Sequence, residues 1–272
     1  MAGWHPLSRD QPGGDGSVTD VGPHRNPIDP VVGRTAFEWD AVIAGLPIVA
    51  DPWPPSGPLV LVAPHPDDEL LAAGATLAAA SDAGTEVRVV AVTDGEMSHP
   101  HLDDAGRRHL VDRRLAETAA AYTEAGIVAD RHRLSLPDGD TTNHADRLVE
   151  GLLSVLGGAA TCLAPWEADG HPDHDACGWA ALEACAVLGV PVFSFPVWSW
   201  NWDDPGNPAT PFDRAFRFPL SDRPDGAAWM ARKRAGLAAY TSQILVEDGH
   251  RPVLPTGFLA HFTRSDEVFL RS

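Results

Sequence analysis

An α/β fold built on a mainly parallel sheet flanked by helices is what this sequence predicts, and three observations carry the prediction. Short apolar runs without polar interruption, of which Leu59-Val60-Leu61-Val62-Ala63 is the clearest, read as strands covered on both faces. Segments of helical periodicity separate these runs, the pattern of right-handed βαβ units and a parallel sheet. Two of the strands end in the same turn, His-Pro-Asp, followed by a helix. Ligands bind outside the carboxyl ends of the strands in such sheets, so the repeated turn marks the mouth of a site.

The elements follow in order. Residues 1–33, rich in Pro, Gly and Asp, read as a tail or a strap over the surface. Phe37, Trp39, Val42, Ile43 and Leu46 predict a short amphipathic helix before the Pro-rich turn at 52–55. Residues 1–57 are therefore expected to form an N-terminal extension, and 58–272 a single α/β domain with a Trp-rich C-terminal segment. Strands are expected at 59–63, 87–92, 132–136, 161–164 and 191–196, and helices near 69–82, 104–125, 144–156 and 174–188. In the second of these helices Val111, Leu115, Ala119 and Tyr122 form a candidate buried stripe. Beyond the fifth strand Trp198, Trp200 and Trp202 alternate with polar residues, which in a strand would send all three indoles to one face. They would then form a substrate wall or pack beneath a following helix at about 225–241. A terminal strand over 267–270 closes the chain.

The composition excludes several functions. The formal net charge of -18, from 20 basic and 38 acidic residues, leaves no basic patch to neutralise phosphates, so nucleic acid is not an expected partner. No apolar stretch reaches the roughly twenty residues that a membrane helix needs. The N-terminus lacks a charged segment followed by an apolar one, so no secretory leader is expected and the location read from the sequence is cytoplasmic. Cys162, Cys177 and Cys185 make no Cys-x-x-Cys pair and read as small buried residues. No glycine-rich dinucleotide fingerprint follows the first strand, and no phosphate-binding loop appears. Homo-oligomerisation is left open.

The chemistry resides in two stretches, His65-Pro66-Asp67-Asp68-Glu69 and His171-Pro172-Asp173-His174. Zinc accepts imidazole nitrogen and carboxylate oxygen, and catalytic sites hold it by three protein ligands with one position open. His65, Asp68 and His174 would make such a set, although the sequence by itself does not separate Asp68 from its neighbour Asp67. A carboxylate beside the ion would act as general base, whereas Asp is equally a favoured helix N-cap. Glu69 reads as a first-turn residue stabilised by the helix dipole and nearby amides.

The two stretches, roughly a hundred residues apart, resemble the two signatures of the PIG-L/LmbE-like N-acetylglucosaminyl deacetylases. Thr93-Asp94-Gly95-Glu96, Arg114-Leu115-Ala116-Glu117 and Leu136-Pro137-Asp138-Gly139 resemble further motifs of that family. The resemblance covers 58–188 well, and 233–243 and 267–270 more loosely. It implies a Rossmann-like sheet and a zinc-dependent hydrolase, another divalent ion being an alternative. Such an enzyme removes an N-acyl group, above all acetyl, from an amino sugar of a glycoconjugate or natural-product glycoside. It implies His65, Asp68 and His174 as metal ligands, with Asp67 as base. His171 would stabilise the oxyanion as an imidazolium, oriented by Asp173. Arg114 and Asp138 would contact sugar hydroxyls, although Arg113 is an equally available guanidinium and a solvated helix face the plainer role. Some relatives carry Tyr where this chain has Asp169. Two rival functions compete with this one. A metal-dependent phosphohydrolase is suggested by His174-Asp175, but that family is all-helical. A non-catalytic carbohydrate-binding protein would be expected to lack Asp67 or a ligand, and none is missing.

Overall fold

The computed structural model describes residues 29–49, 52–247 and 249–272; most of the N-terminal tail read at 1–33 lies outside them. A helical turn at Ala36–Trp39 runs into α1 (Asp40–Gly45), matching the expected amphipathic helix. The α/β alternation follows: β1 (Leu59–Ala63), α2 (Asp68–Asp82), β2 (Val87–Thr93), α3 (Asp104–Ala125), β3 (Asp130–Leu136), α4 (Ala145–Leu156), β4 (Thr161–Pro165), α5 (Pro172–Leu188) and β5 (Val192–Phe195). The remainder contains α6 (Ser199–Trp202), β6 (Ala215–Pro219), α7 (Gly226–Ala238), α8 (Thr241–Ile244), α9 (Thr256–Leu259) and β7 (Asp266–Arg271).

Seven strands form one sheet in the order β3-β2-β1-β4-β5-β7-β6. The first five are parallel, and β7 pairs antiparallel with both β5 and β6. The expected mainly parallel α/β sheet is what forms. The order reverses between β1 and β4, where chain connections leave to opposite sides and open a crevice at the strand ends. Both His-Pro-Asp turns lie there. One core layer packs α2, α3 and α7 on the sheet and includes Leu61, Leu70, Val89 and Phe269; the other packs α4 and α5 and includes Val60, Val62, Leu152 and Cys162. The three cysteines are buried and free, as read.

Three details depart from the sequence reading. The buried face of α3 is Leu110, Arg114, Glu117, Thr118, Ala121 and Ala125, one position off the apolar stripe; Ala119 is exposed. Charged groups turn inward because Arg114 and Glu117 have buried partners to satisfy. The tryptophan segment is not a strand but the single turn α6, so its indoles diverge instead of sharing one face. The strand β6 was not anticipated.

Helix α2 kinks at Ala73, whose backbone is not helical (φ -134, ψ 18). The amides freed there are taken by Glu267 of β7, which accepts from Ala75 N and Thr76 N at 2.8 Å each and from Thr76 Oγ1 at 2.7 Å. Lys233 Nζ of α7 pairs with the same carboxylate at 2.7 Å, so a charge in the core is compensated on every side.

Candidate active site

Backbone strain marks the first turn. Asp67 has φ 143 and ψ -28, a conformation that costs a non-glycine residue of order 1–3 kcal/mol and persists where its surroundings impose it. It precedes α2, yet its side chain makes no capping hydrogen bond, so helix capping does not account for the residue. Its Oδ2 accepts instead from Arg114 Nη2 at 2.9 Å. Arg114 also donates to Pro66 O at 2.6 Å and Gly95 O at 3.0 Å. Gly95 is required here: its φ is +71, and a Cβ would lie 1.9 Å from Arg114 Nη1. Arg114 is thus buried against Asp67 and two carbonyls. Arg113 is engaged elsewhere, with Glu117, Thr241 and Glu247. Burial pushes the Asp67 carboxyl up to about 7; Arg114 pulls against that rise and the charge of Asp68 adds to it. Glu69 accepts from Asp67 N at 3.1 Å and from Tyr122 OH at 3.0 Å.

Asp68 Oδ2 lies at the centre of the constellation. It stands 3.2 Å from His65 Nδ1 and 3.2 Å from His174 Nε2, and accepts His65 N at 2.9 Å. These two nitrogens and a carboxylate oxygen lie within 4.8 Å of one another. His174 is fully buried, yet neither of its nitrogens is in a hydrogen bond of good geometry, although carboxylates lie within ion-pair distance of both. The buried Nε2, which meets Asp68 Oδ2 at 3.2 Å without a well-formed hydrogen bond, suits a shared cation. The donor set fits zinc.

A second set, His65, His171 and Asp173, also converges within 4.8 Å. The Asp173 carboxylate is already occupied, accepting from Thr141 Oγ1 at 2.6 Å, Gly139 N at 2.8 Å and Thr141 N at 3.2 Å. Its Oδ2 also meets His65 Nε2 at 3.0 Å. Asp173 therefore orients His65 rather than His171, correcting the expected pairing. The reason is local: at the start of α5 its side chain turns towards the loop after β3. Asp138, on that loop, adds Oδ1 at 3.3 Å from His65 Nε2, and its Oδ2 accepts Met97 N at 2.7 Å. Burial alone would lower the pKa of His65, but Asp138, Asp173 and Asp68 together raise it well above the usual range.

His171 caps α5, its Nδ1 accepting the Asp173 N–H at 3.2 Å. That bond leaves the proton of a neutral ring on Nε2. Burial, with the charges of His65 and His174, lowers its pKa to about 3.

Asp169 is the residue that the sequence reading undervalued. It is fully buried, and Oδ1 accepts from Val197 N, Ser199 N and Ser199 Oγ at 2.9, 3.0 and 2.8 Å. Oδ2 accepts from Trp198 N at 2.9 Å and stands 2.9 Å from His174 Nδ1. Burial alone would lower the His174 pKa, but Asp68 and Asp169 raise it to about 9. The signal was present: a carboxylate in the loop that carries a candidate ligand histidine is the usual outer partner of that ring.

Comparison with known proteins identifies the relatives of this chain. The family described as PIG-L, GlcNAc-PI de-N-acetylase, matches residues 60–185. A 1D-myo-inositol 2-acetamido-2-deoxy-alpha-D-glucopyranoside deacetylase of Mycolicibacterium gilvum is 30% identical over 219 residues, covering 69% of this chain and 72% of that protein. A protein of the same name, numbered 2, from Saccharopolyspora erythraea is 28% identical over 233 residues, covering 70% and 85%. A diacetylchitobiose deacetylase of Thermococcus kodakarensis is 29% identical over 140 residues, covering 50% of this chain and 52% of its own length. Among solved structures, a deacetylase in complex with teicoplanin has a TM-score of 0.52 at 19% identity, covering 79% of this chain and 98% of that one. At that identity the likeness speaks for the fold.

Proposed function

The chain belongs to the PIG-L family of deacetylases and is an amide hydrolase, and from that premise we propose that it removes the N-acetyl group of an N-acetylglucosamine-containing glycoside. One observation carries the reading of the site: a single oxygen of Asp68 faces ring nitrogens of both His65 and His174, with the Asp67 carboxylate on the adjacent residue. His65, Asp68 and His174 would hold a zinc ion. Bound there, the ion would supply Lewis acidity towards the amide carbonyl and make a water nucleophilic at neutral pH.

The protein groups do the rest. Asp67, with a pKa of about 7, takes a proton from the attacking water near neutral pH, and the Arg114 guanidinium fixes which oxygen it presents. His171, whose Nδ1 accepts the Asp173 N–H, donates from Nε2 to the developing oxyanion; a preorganised donor of this kind contributes on the order of 3 kcal/mol. Asp67 then returns its proton to the departing amine. Asp173 and Asp138 hold His65, and Asp169 holds His174. No strand-free, all-helical phosphohydrolase scaffold is present among the described residues, and the parallel sheet favours the deacetylase. Likewise, no helix among the described residues is long and apolar enough to cross a membrane, and a small-molecule glycoside in water is the proposed substrate.

The test is release of primary amine from a panel of N-acetylated glycosides, with and without chelator. Chelator-sensitive release from an N-acetylglucosaminide supports the reading; turnover of phosphoesters and of none of these amides would refute it.

A further inference from the structure

We propose that the indole of Trp198 is the platform on which the ring of the amide-bearing sugar rests, making this residue a determinant of substrate choice. The inference rests on the N-acetyl-sugar reading above.

The three tryptophans of α6 and its entry have separate fates. Trp200 is 4% exposed and packs against Trp39 at 5.1 Å and Phe212 at 5.4 Å, with the Arg264 guanidinium over its ring. Trp202 stacks on Trp166, and its indole N–H donates to Asp169 O at 2.6 Å. Both have structural duties. Trp198 is only partly buried, and its ring stacks on His171 at 5.8 Å with an interplanar angle of 29°. Its indole N–H has no partner among the described residues, leaving a donor for a ligand hydroxyl.

Trp198 is also held rigidly. Its backbone N–H is bound by Asp169 Oδ2, its carbonyl accepts from Asn201 N at 2.8 Å, and Phe258 backs the ring at 4.9 Å. Through Asp169, the residue that orients His174 also sets the height of this indole. The imidazole cluster is only a few ångströms across, with His65 and His171 centroids 4.8 Å apart. An amide carbonyl presented to His171 therefore brings its sugar ring beside the indole. An indole face offers rigid apolar area to the C–H face of a pyranose, and a face that contacts the ring equally in ground and transition states raises affinity without changing the chemical step.

The experiment compares wild type, Trp198→Phe and Trp198→Leu on two substrates with the same reacting amide: a methyl N-acetylglucosaminide and an open-chain N-acetyl amino alcohol. Trp198→Leu should raise KM for the glycoside about tenfold or more, with kcat within about threefold and KM for the open-chain amide unchanged; Trp198→Phe should recover most of the loss. Equal KM values in all three proteins would overturn the proposal. So would a fall in kcat at constant KM, which would mean that the indole only braces His171. Calorimetric titration with N-acetylglucosamine reads binding directly and keeps the two readings apart. Tenfold weaker binding to a folded Trp198→Leu protein supports the platform, and equal binding or no binding to wild type overturns it. Failure of wild type to release amine from any N-acetylated sugar is instead a failure of the proposed function.

Discussion

Replacing Asp169 by Asn should weaken the metal site without touching a ligand. The substitution is isosteric, and the amide oxygen can occupy the Oδ1 position, keeping the bonds from Val197 N, Ser199 N and Ser199 Oγ. The Oδ2 position then becomes an NH2 group facing Trp198 N–H, which loses its acceptor, and His174 Nδ1. Losing one hydrogen bond to a buried charged acceptor costs about 1.5–3 kcal/mol. The second effect concerns the tautomer. An NH2 beside Nδ1 obliges that nitrogen to accept, which moves the ring proton to Nε2, the nitrogen that faces Asp68 at 3.2 Å. A protonated nitrogen cannot ligate, so zinc affinity should fall by about 10- to 100-fold, the usual consequence of losing an outer partner. Competition against a chelating dye measures the affinity, and urea denaturation the stability. Zinc affinity within twofold of wild type in a folded Asp169→Asn protein would refute the reasoning, because the carboxylate would then be bracing only the 197–199 backbone.

Asp67→Asn should retain metal while kcat falls by roughly a hundredfold or more, the scale of general-base catalysis; loss of zinc here with retention in Asp68→Asn would mean that the two carboxylates have exchanged roles. Trp200→Ala truncates a ring packed on Trp39 and Phe212 and should cost about 3–5 kcal/mol in denaturation while leaving KM for an N-acetylglucosaminide unchanged in the folded fraction; an altered KM at unchanged stability would count against the core assignment. Stability should also depend on His261, whose pKa burial and the Arg264 charge lower from 6.5 to about 4 while its Nε2 bonds Arg34 O at 2.9 Å. The unfolded chain binds this proton below 6.5 and the folded chain does not, so the contribution is complete above pH 6.5 and declines as pH falls towards 4, about 3 kcal/mol at the limit. His261→Gln should flatten that part of the stability profile, and an unchanged slope would argue against it.

Legibility in the sequence followed the range of the interaction. Continuous apolar runs such as Leu59–Ala63 and the two His-Pro-Asp turns are local signals, and they located the sheet and the residues that converge on its switch point. Segment 198–202 was ambiguous because four or five residues alternating aromatic and polar fit one helical turn as well as a strand. Arg114 and Glu117 fell outside an apolar stripe because their partners, Asp67 and Ser242, are distant in sequence. The carboxylate pairings are long-range for the same reason. Asp173 and His65 are 108 residues apart, and proximity of Asp173 to His171 in sequence suggested a partner that the start of α5 turns away from. The charge of His171 was not legible either, since it depends on burial and on two neighbouring imidazoles that the fold places beside it.

The central claim is that His65, Asp68 and His174 hold a zinc ion required for deacetylation, and metal analysis paired with amine release tests it most directly. Wild type purified in zinc should carry about one ion per chain and release amine from an N-acetylglucosaminide. His174→Ala should lose ion and activity together while its circular dichroism remains that of an α/β protein. Stoichiometric zinc in folded His174→Ala protein, or full activity in metal-free wild type, would contradict the account.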